Sequence, residues 1–271
     1  MKYGKKAIVL ALMLIMLLPL AASADKLDDI KSSGKLVVGA SAGFPPYEFW
    51  YTDPETGEET LEGFEMKFAQ GLAEHLGVEF VLADQAFSGL ITELRAGTID
   101  IITSGMSMKP ERLEVVDFSI PYFNGKQVML VKTAELDTYK TPESMDGKKL
   151  GVQTGALQVD LAAQQFPKAE AMQLDNIAVL VMELKMGNID GVILADSVAA
   201  SFSSAFPEVA ISEIQVEYSS AGVGAAIAKG DGNETFLAAI NEYIELVKGD
   251  GTFDQWIDEA YKINGLLLTQ Q

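Results

Sequence analysis

The chain of 271 residues carries 39 acidic against 20 basic residues, a formal net charge of −19, and no cysteine. That balance disfavours nucleic acids and anionic membrane surfaces as partners, because both are met by positive patches. Without cysteine there are no disulfides, thiolate nucleophiles or thiolate metal sites. A chain of this length can stand on its own core, as one large domain or two lobes.

The start is basic (Met1-Lys2-Tyr3-Gly4-Lys5-Lys6), residues 7–20 run apolar, and Ala22-Ser23-Ala24 offers small residues for cleavage. This pattern predicts a secretory signal peptide over residues 1–24. The apolar run is too short for a comfortable membrane span. No cysteine stands at the cleavage site, so no lipid anchor is expected.

Residues 27–30 read as a helical turn closed by Gly34, and the β-branched run of residues 35–40 as a buried strand. It empties into Ser41-Ala42-Gly43-Phe44-Pro45-Pro46-Tyr47-Glu48-Phe49, a loop held open by two prolines. Residues 52–62 are acidic and turn-rich and predict an exposed hairpin, whose carboxylates miss the EF-hand spacing. Phe64, Phe68, Leu72 and Leu76 fall four apart, one face of a helix that stops at Gly77. His75, the single histidine, lies beside that face and reads as a surface residue. A strand over 78–82, then Phe87 and a helix over 88–96, follow.

Residues 93–102 (Glu-Leu-Arg-Ala-Gly-Thr-Ile-Asp-Ile-Ile) are matched by residues 183–192 (Glu-Leu-Lys-Met-Gly-Asn-Ile-Asp-Gly-Val). The shared pattern is helix end, glycine cap, turn, Ile-Asp and buried strand. The repeat also sorts the only two arginines. Arg95 has Lys185 as its counterpart, so that position asks merely for a cation, whereas Arg112 has Phe202.

After the strand over 99–103 comes Ser104-Gly105-Met106-Ser107-Met108-Lys109-Pro110-Glu111-Arg112. Two hydroxyls, a glycine-freed backbone and a guanidinium fork within nine residues can bind a carboxylate. The alternative is a solvated arginine after an ordinary strand-to-helix turn. Asp196 follows the second repeated strand much as Met106 follows the first. Carboxyl ends of strands face the ligand crevice in open α/β sheets. One half thus offers a cation and the other a carboxylate, which suits a zwitterion. Residues 118–125 leading into 127–131, and residues 218–228, read as extended crossovers, 150–153 as a strand, and Thr154-Gly155-Ala156-Leu157 as the opening of a helix to about 165. No Gly-Lys-Ser/Thr ends that glycine run, so a nucleotide P-loop is absent. Helices over 234–248 and 252–261 close the chain. No cofactor and no metal are expected.

In order, Phe44-Pro45-Pro46-Tyr47-Glu48-Phe49, Gly63-Phe64-Glu65, Phe87-Ser88-Gly89-Leu90-Ile91, Ser104-Gly105-Met106-Ser107 with Pro110-Glu111-Arg112, Val116-Asp117-Phe118-Ser119, Gly151-Val152-Gln153-Thr154-Gly155 and Gly249-Asp250-Gly251-Thr252-Phe253 resemble one family over essentially the whole mature chain. It is that of the polar amino-acid substrate-binding proteins of ABC importers, bacterial solute-binding family 3. The resemblance implies an α/β, two-lobed, type II periplasmic binding fold with two crossovers. Lobe 1 would hold residues 25–123 plus 222–271, and lobe 2 residues 124–221.

By the same resemblance, Arg112 would grip an α-carboxylate with Ser107 and the N–H groups near Ala156 and Leu157. Asp196 and the Gly105 carbonyl would accept from the α-ammonium. Phe44 and Phe87 would form an aromatic slot, and Ser41, Ser104, Met106 and Gln153 would complete the site. Two departures stand out: Ala156 and Leu157 replace the usual threonines, and Ser41 stands where many relatives are acidic. The implied function is hinge closure on a free polar or basic L-amino acid, such as arginine, glutamine or histidine, by a periplasmic monomer serving a membrane permease. The alternative, a cyclohexadienyl dehydratase on the same fold, needs a carboxylic acid near the second crossover. Residues 219–225 offer none.

Overall fold

The structure is a computed structural model that describes residues 25–53, 55–219 and 221–269. The expected signal peptide and Ser220 of the second crossover lie outside the described residues. Two five-stranded sheets organise the rest.

The first sheet is built mostly from the N-terminal segment. Helix α1 (Lys26–Ser33) is capped by the Asp25 carboxylate, which accepts from Leu27 N, and ends at left-handed Gly34. Then come β1 (Lys35–Ala40), the hairpin β2 (Phe49–Thr52) and β3 (Glu59–Glu62), helix α2 (Phe64–Leu76) and β4 (Glu79–Asp84). Helix α3 (Leu90–Ala96) follows a tight turn at Phe87–Gly89, and then β5 (Ile101–Ile102), α4 (Pro110–Leu113) and β6 (Val116–Phe118). The strand expected over 99–103 is paired only at Ile101 and Ile102. Asp100 N–H instead donates to Val37 O at 2.8 Å.

The second sheet takes β7 (Gln127–Lys132), β8 (Lys149–Gln153), β9 (Glu170–Leu174), β10 (Gly191–Ala195) and β11 (Val209–Val216). Helices α5 (Leu157–Gln165), α6 (Ile177–Met186) and α7 (Asp196–Ala205) connect them. The chain then returns to the first sheet through β12 (Ala226–Ala228) and finishes in α8 (Glu234–Gly249) and α9 (Thr252–Thr269). Helix α9 is longer than the expected 252–261. It packs on α2, α7 and α8, so one element touches helices of both sheets.

The sheets share a layout. The first runs β4-β1-β5-β12-β6, the second β9-β8-β10-β7-β11, and in each the fourth strand is antiparallel to its neighbours. The sequence repeat falls on equivalent places, α3–β5 and α6–β10. Gly97 and Gly187 sit at φ 75° and 78° and cap their helices through N–H donation to the carbonyls of Glu93 and Leu94, and of Glu183 and Leu184. Asp100 Oδ2 accepts from Val37 N and Asp190 Oδ2 from Lys149 N, each at 2.8 Å. The repeated Ile-Asp therefore clamps a strand to its neighbour in both halves.

Contacts join the halves across the cleft. Tyr47 and Ser197 hydroxyls lie 3.4 Å apart, Ser88 Oγ reaches Asp175 Oδ1 at 3.4 Å, and Lys109 pairs with Asp160. Where the crossovers run side by side, Val223 N–H donates to Phe123 O at 2.8 Å and Tyr122 N–H to Val223 O at 3.0 Å.

Two glycines test this arrangement. Gly63 sits at φ 124°, ψ 152°, a region open in practice only to glycine, and a Cβ there would lie 2.0 Å from Tyr47 O. Gly63→Ala should lower stability by roughly 2–5 kcal/mol in urea titrations. At Gly155 (φ 73°) a Cβ would lie 3.1 Å from Ser88 Cα of the facing half. Gly155→Ala should lose about 1 kcal/mol from backbone strain. It should also favour separated halves, seen as a larger radius of gyration in X-ray scattering.

Candidate functional site

The loops at the carboxyl ends of β1, β5, β8 and β10 meet around one cavity between the two sheets, where such folds place ligands. All but two of the expected site residues line it: Ser41, Phe44, Phe87, Ser104, Gly105, Ser107 and Arg112 from one half, and Gln153, Ala156 and Leu157 from the other.

Arg112 is fixed by a short helix. Pro110 at the first helical position presets its backbone, and α4 then turns the arginine inward. The residue is 6 % exposed. Its Nη1 donates to Ser107 O at 2.9 Å and its Nη2 to Gly155 O at 3.1 Å, one carbonyl from each half. The guanidinium carbon stands 5.4 Å from the Phe87 ring centre. Among the described residues no carboxylate comes within ion-pair distance of it. Burial lowers its proton affinity, but a guanidinium starts so high that it stays charged. A buried cation without a counter-ion calls for an anion in the cavity beside it.

The neighbouring donors are fewer than expected. Ala156 N–H donates to Gln153 O at 3.2 Å within its own turn. Leu157 and Gln158 open α5, whose first-turn N–H groups have no acceptor inside the helix. The Gln153 amide is tied to Asp175 O at 3.0 Å.

Met106 and Asp196 do not line the cavity. Met106 is buried beneath it with Phe87, Leu90 and Val116, and its carbonyl accepts from Gly224 N at 3.3 Å. Asp196 is the first residue of α7, and its Oδ1 accepts from Ser197 N at 2.9 Å. It lines an adjoining cleft with Lys126, and the two spaces share Asn124, Gly125 and Tyr218. Helix initiation turns its carboxylate toward its own first turn.

The cavity also holds residues that sequence reasoning missed. Gln158 Nε2 donates to Gln127 Oε1 at 2.8 Å, and both are buried on the wall. Glu48 is fully buried, and its Oε1 accepts from Ser104 Oγ at 2.6 Å. Behind it lies Glu65, also fully buried, accepting from Gly105 N at 2.6 Å and from the Tyr122 hydroxyl at 2.5 Å. Burial, helped by the negative Glu65, pushes Glu48 well above the usual carboxylate range. Burial also lifts Glu65 to about 7, against the bonds from Tyr122 and Gly105. The available signal was a carboxylate set among aromatic residues at 47–49, where an exposed acid has no need of such neighbours. Among the described residues no group of three or more His, Cys, Asp or Glu is placed to hold a metal ion.

Comparison with known proteins fits this geometry. The sequence profile of the bacterial extracellular solute-binding proteins, family 3, matches residues 36–262. The L-cystine-binding protein TcyJ of Escherichia coli (strain K12) is 32 % identical over 253 residues, 92 % of this chain and 92 % of TcyJ. An amino acid ABC transporter substrate-binding protein from Streptococcus pneumoniae Canada MDR_19A, solved bound to L-arginine, superposes with a TM-score of 0.84 at 29 % identity, covering 88 % of this chain and 98 % of that one. The ancestral amino acid-binding protein AncCDT-1, a precursor of cyclohexadienyl dehydratase, gives 0.77 at 32 % identity, covering 87 % and 99 %. With most of its length matched by the profile, and a type II periplasmic binding fold in two α/β halves, the chain belongs to the bacterial extracellular solute-binding proteins, family 3.

Proposed function

We propose that this protein captures a free L-amino acid with a polar or basic side chain and delivers it to an ABC importer. The observation that carries this reading is Arg112, a buried guanidinium facing the cavity, held by carbonyls from both halves and lacking a carboxylate partner among the described residues. An α-carboxylate beside it would supply the missing charge through a bidentate pair. Relatives that bind arginine and cystine support an amino acid as the occupant. The departures at Ser41, Ala156 and Leu157 leave the side-chain preference open to a polar as well as a basic residue.

The mechanism is hinge closure. Lobe 1 comprises residues 25–123 plus 222–271 and lobe 2 residues 124–221, in line with which strands enter which sheet. Contacts to Arg112, Phe44 and Phe87 on one side and to Gln153, Ala156 and Leu157 on the other are made together only when the lobes meet. A bridging ligand therefore favours the closed state by differential affinity. Asp196, one cleft removed, supports the ammonium end at longer range, and Met106 supports the loop from below. The mature protein, released from its signal peptide after Ala24, acts as a periplasmic monomer and presents its closed form to the permease. It binds no nucleic acid and is not an enzyme. The likeness to AncCDT-1 raises the dehydratase reading, but among the described residues Glu48 is the one carboxyl on the cavity wall, and it accepts from the Ser104 hydroxyl.

Thermal shift of protein stripped by unfolding and refolding, against the common L-amino acids, tests this. A ligand at a hundred times its Kd should add about 2.7 kcal/mol. Arg112→Ala should abolish that response. If no amino acid shifts the midpoint, or prephenate is turned over instead, the reading fails.

A further inference from the structure

The two buried carboxyls behind Ser104 and Gly105 have no role in the clamp described so far. Glu48 and Glu65 are both fully buried, and among the described residues neither has a lysine or arginine within ion-pair distance. Two carboxylates this deep cannot both stay ionised without a counter-charge. Glu48 Oε2 is buried with no hydrogen-bond donor on it, which leaves it as the place for a proton held toward Glu65.

Their outward bonds reach the cavity wall. Glu65 accepts from Gly105 N–H, and Glu48 accepts from the Ser104 hydroxyl. A serine hydroxyl has one proton and two lone pairs. In Ser104 the proton goes to Glu48, and one lone pair accepts from Ser41 N at 3.1 Å. What remains is a single lone pair on a residue that lines the cavity. Such a group accepts from an ammonium and repels a carboxylate, whereas the Arg112 end does the reverse.

We propose that Glu48 and Glu65 form a carboxyl pair sharing a proton that acts, through the Ser104 hydroxyl, as counter-charge to the ligand's ammonium, so that capture of an amino acid expels a proton to solvent. The proposal rests on the amino-acid reading above. An ammonium arriving at Ser104 stabilises the ionised form of the pair, and the proton it displaces passes to bulk buffer. The groups that face the pair are Tyr122, Tyr47 and Asp84, with Lys248 Nζ 3.4 Å from the Tyr122 carbonyl. Both tyrosines are pushed well above their usual range by burial and keep their protons. Burial raises both carboxyls, Glu65 to about 7, so the pair as a whole gives up protons well above the usual carboxylate range.

Two measurements test it. The first needs no ligand. Glu65 rises from 4.5 to about 7 on folding, so below 4.5 its contribution is fully present, and it is lost as pH rises through about 7. The melting midpoint of stripped wild-type protein should fall from pH 5 to 8, and Glu65→Gln should make that fall shallower, leaving the part that Glu48 contributes. Glu48→Gln, which keeps a donor toward Glu65, serves if the first variant folds poorly.

The second is calorimetry with L-arginine at pH 7 in phosphate and in Tris. The binding heat should differ between buffers by up to about half a proton's ionisation enthalpy, and affinity should rise about two- to tenfold between pH 6 and 7.5. A flat wild-type stability profile overturns the shared proton, whatever the ligand. Buffer-independent heat with the slope intact overturns the counter-charge role. If neither L-arginine nor L-glutamine binds while the slope persists, the amino-acid reading falls and takes the counter-charge role with it.

Discussion

The rest of the structure depends on how Arg112 is held. An arginine cannot shed its charge on burial, so it is kept inside only where dipoles or an anion replace its lost water. Here the dipoles are the carbonyls of Ser107 and Gly155, one from each half, and the Phe87 ring covers a face. Those partners are a partial substitute. A carbonyl carries a fraction of the charge of a carboxylate, and the guanidinium's remaining N–H groups point to the cavity's need for an anion. Gly155 matters for the same reason. Its left-handed backbone turns a carbonyl toward Arg112, and the missing Cβ lets Ser88 come close.

The cavity wall carries groups of both polarities. The guanidinium and the first turn of α5 suit an anion, and Ser104 and Gly105 are each bound to a buried carboxyl. A zwitterion can use both kinds of group together. The chain carries a net charge of −19, and Arg112 places a buried cation inside it. Low dielectric makes such buried groups stronger than their surface equivalents.

Much of the framework was legible in the sequence. The repeat at 93–102 and 183–192 stood out because the same backbone problem, ending a helix and locking an aspartate onto a neighbouring strand, has the same solution twice. Phe64, Phe68 and Leu72 declared a core face through their spacing, and all three are fully buried. Other elements carried weaker signals. Strand β9 (Glu170–Leu174) is mostly exposed, so it lacks the apolar run that marks a buried strand. Strand β11 (Val209–Val216) is an edge strand with a register shift between Ile211 and Gln215, which breaks its alternation. Helix α9 extends past 261 through residues whose apolar pattern does not by itself mark where a helix stops.

The sequence by itself determined the repeated helix–strand unit, most of the apolar strands and the one arginine that no repeat explains, because periodicity and capping are local and are written in neighbouring residues. Only the tertiary structure decided which polar groups face one another. Glu48 and Glu65 are 17 positions apart along the chain, and Arg112 and Gly155 are 43 apart, so nothing in their spacing pairs them. It took the closing of two sheets over a common cavity to bury those acids, to leave Arg112 without a carboxylate, and to set Asp196 one cleft aside. Burial and charge pairing are properties of the assembled interior, and they fix the polarity of the site.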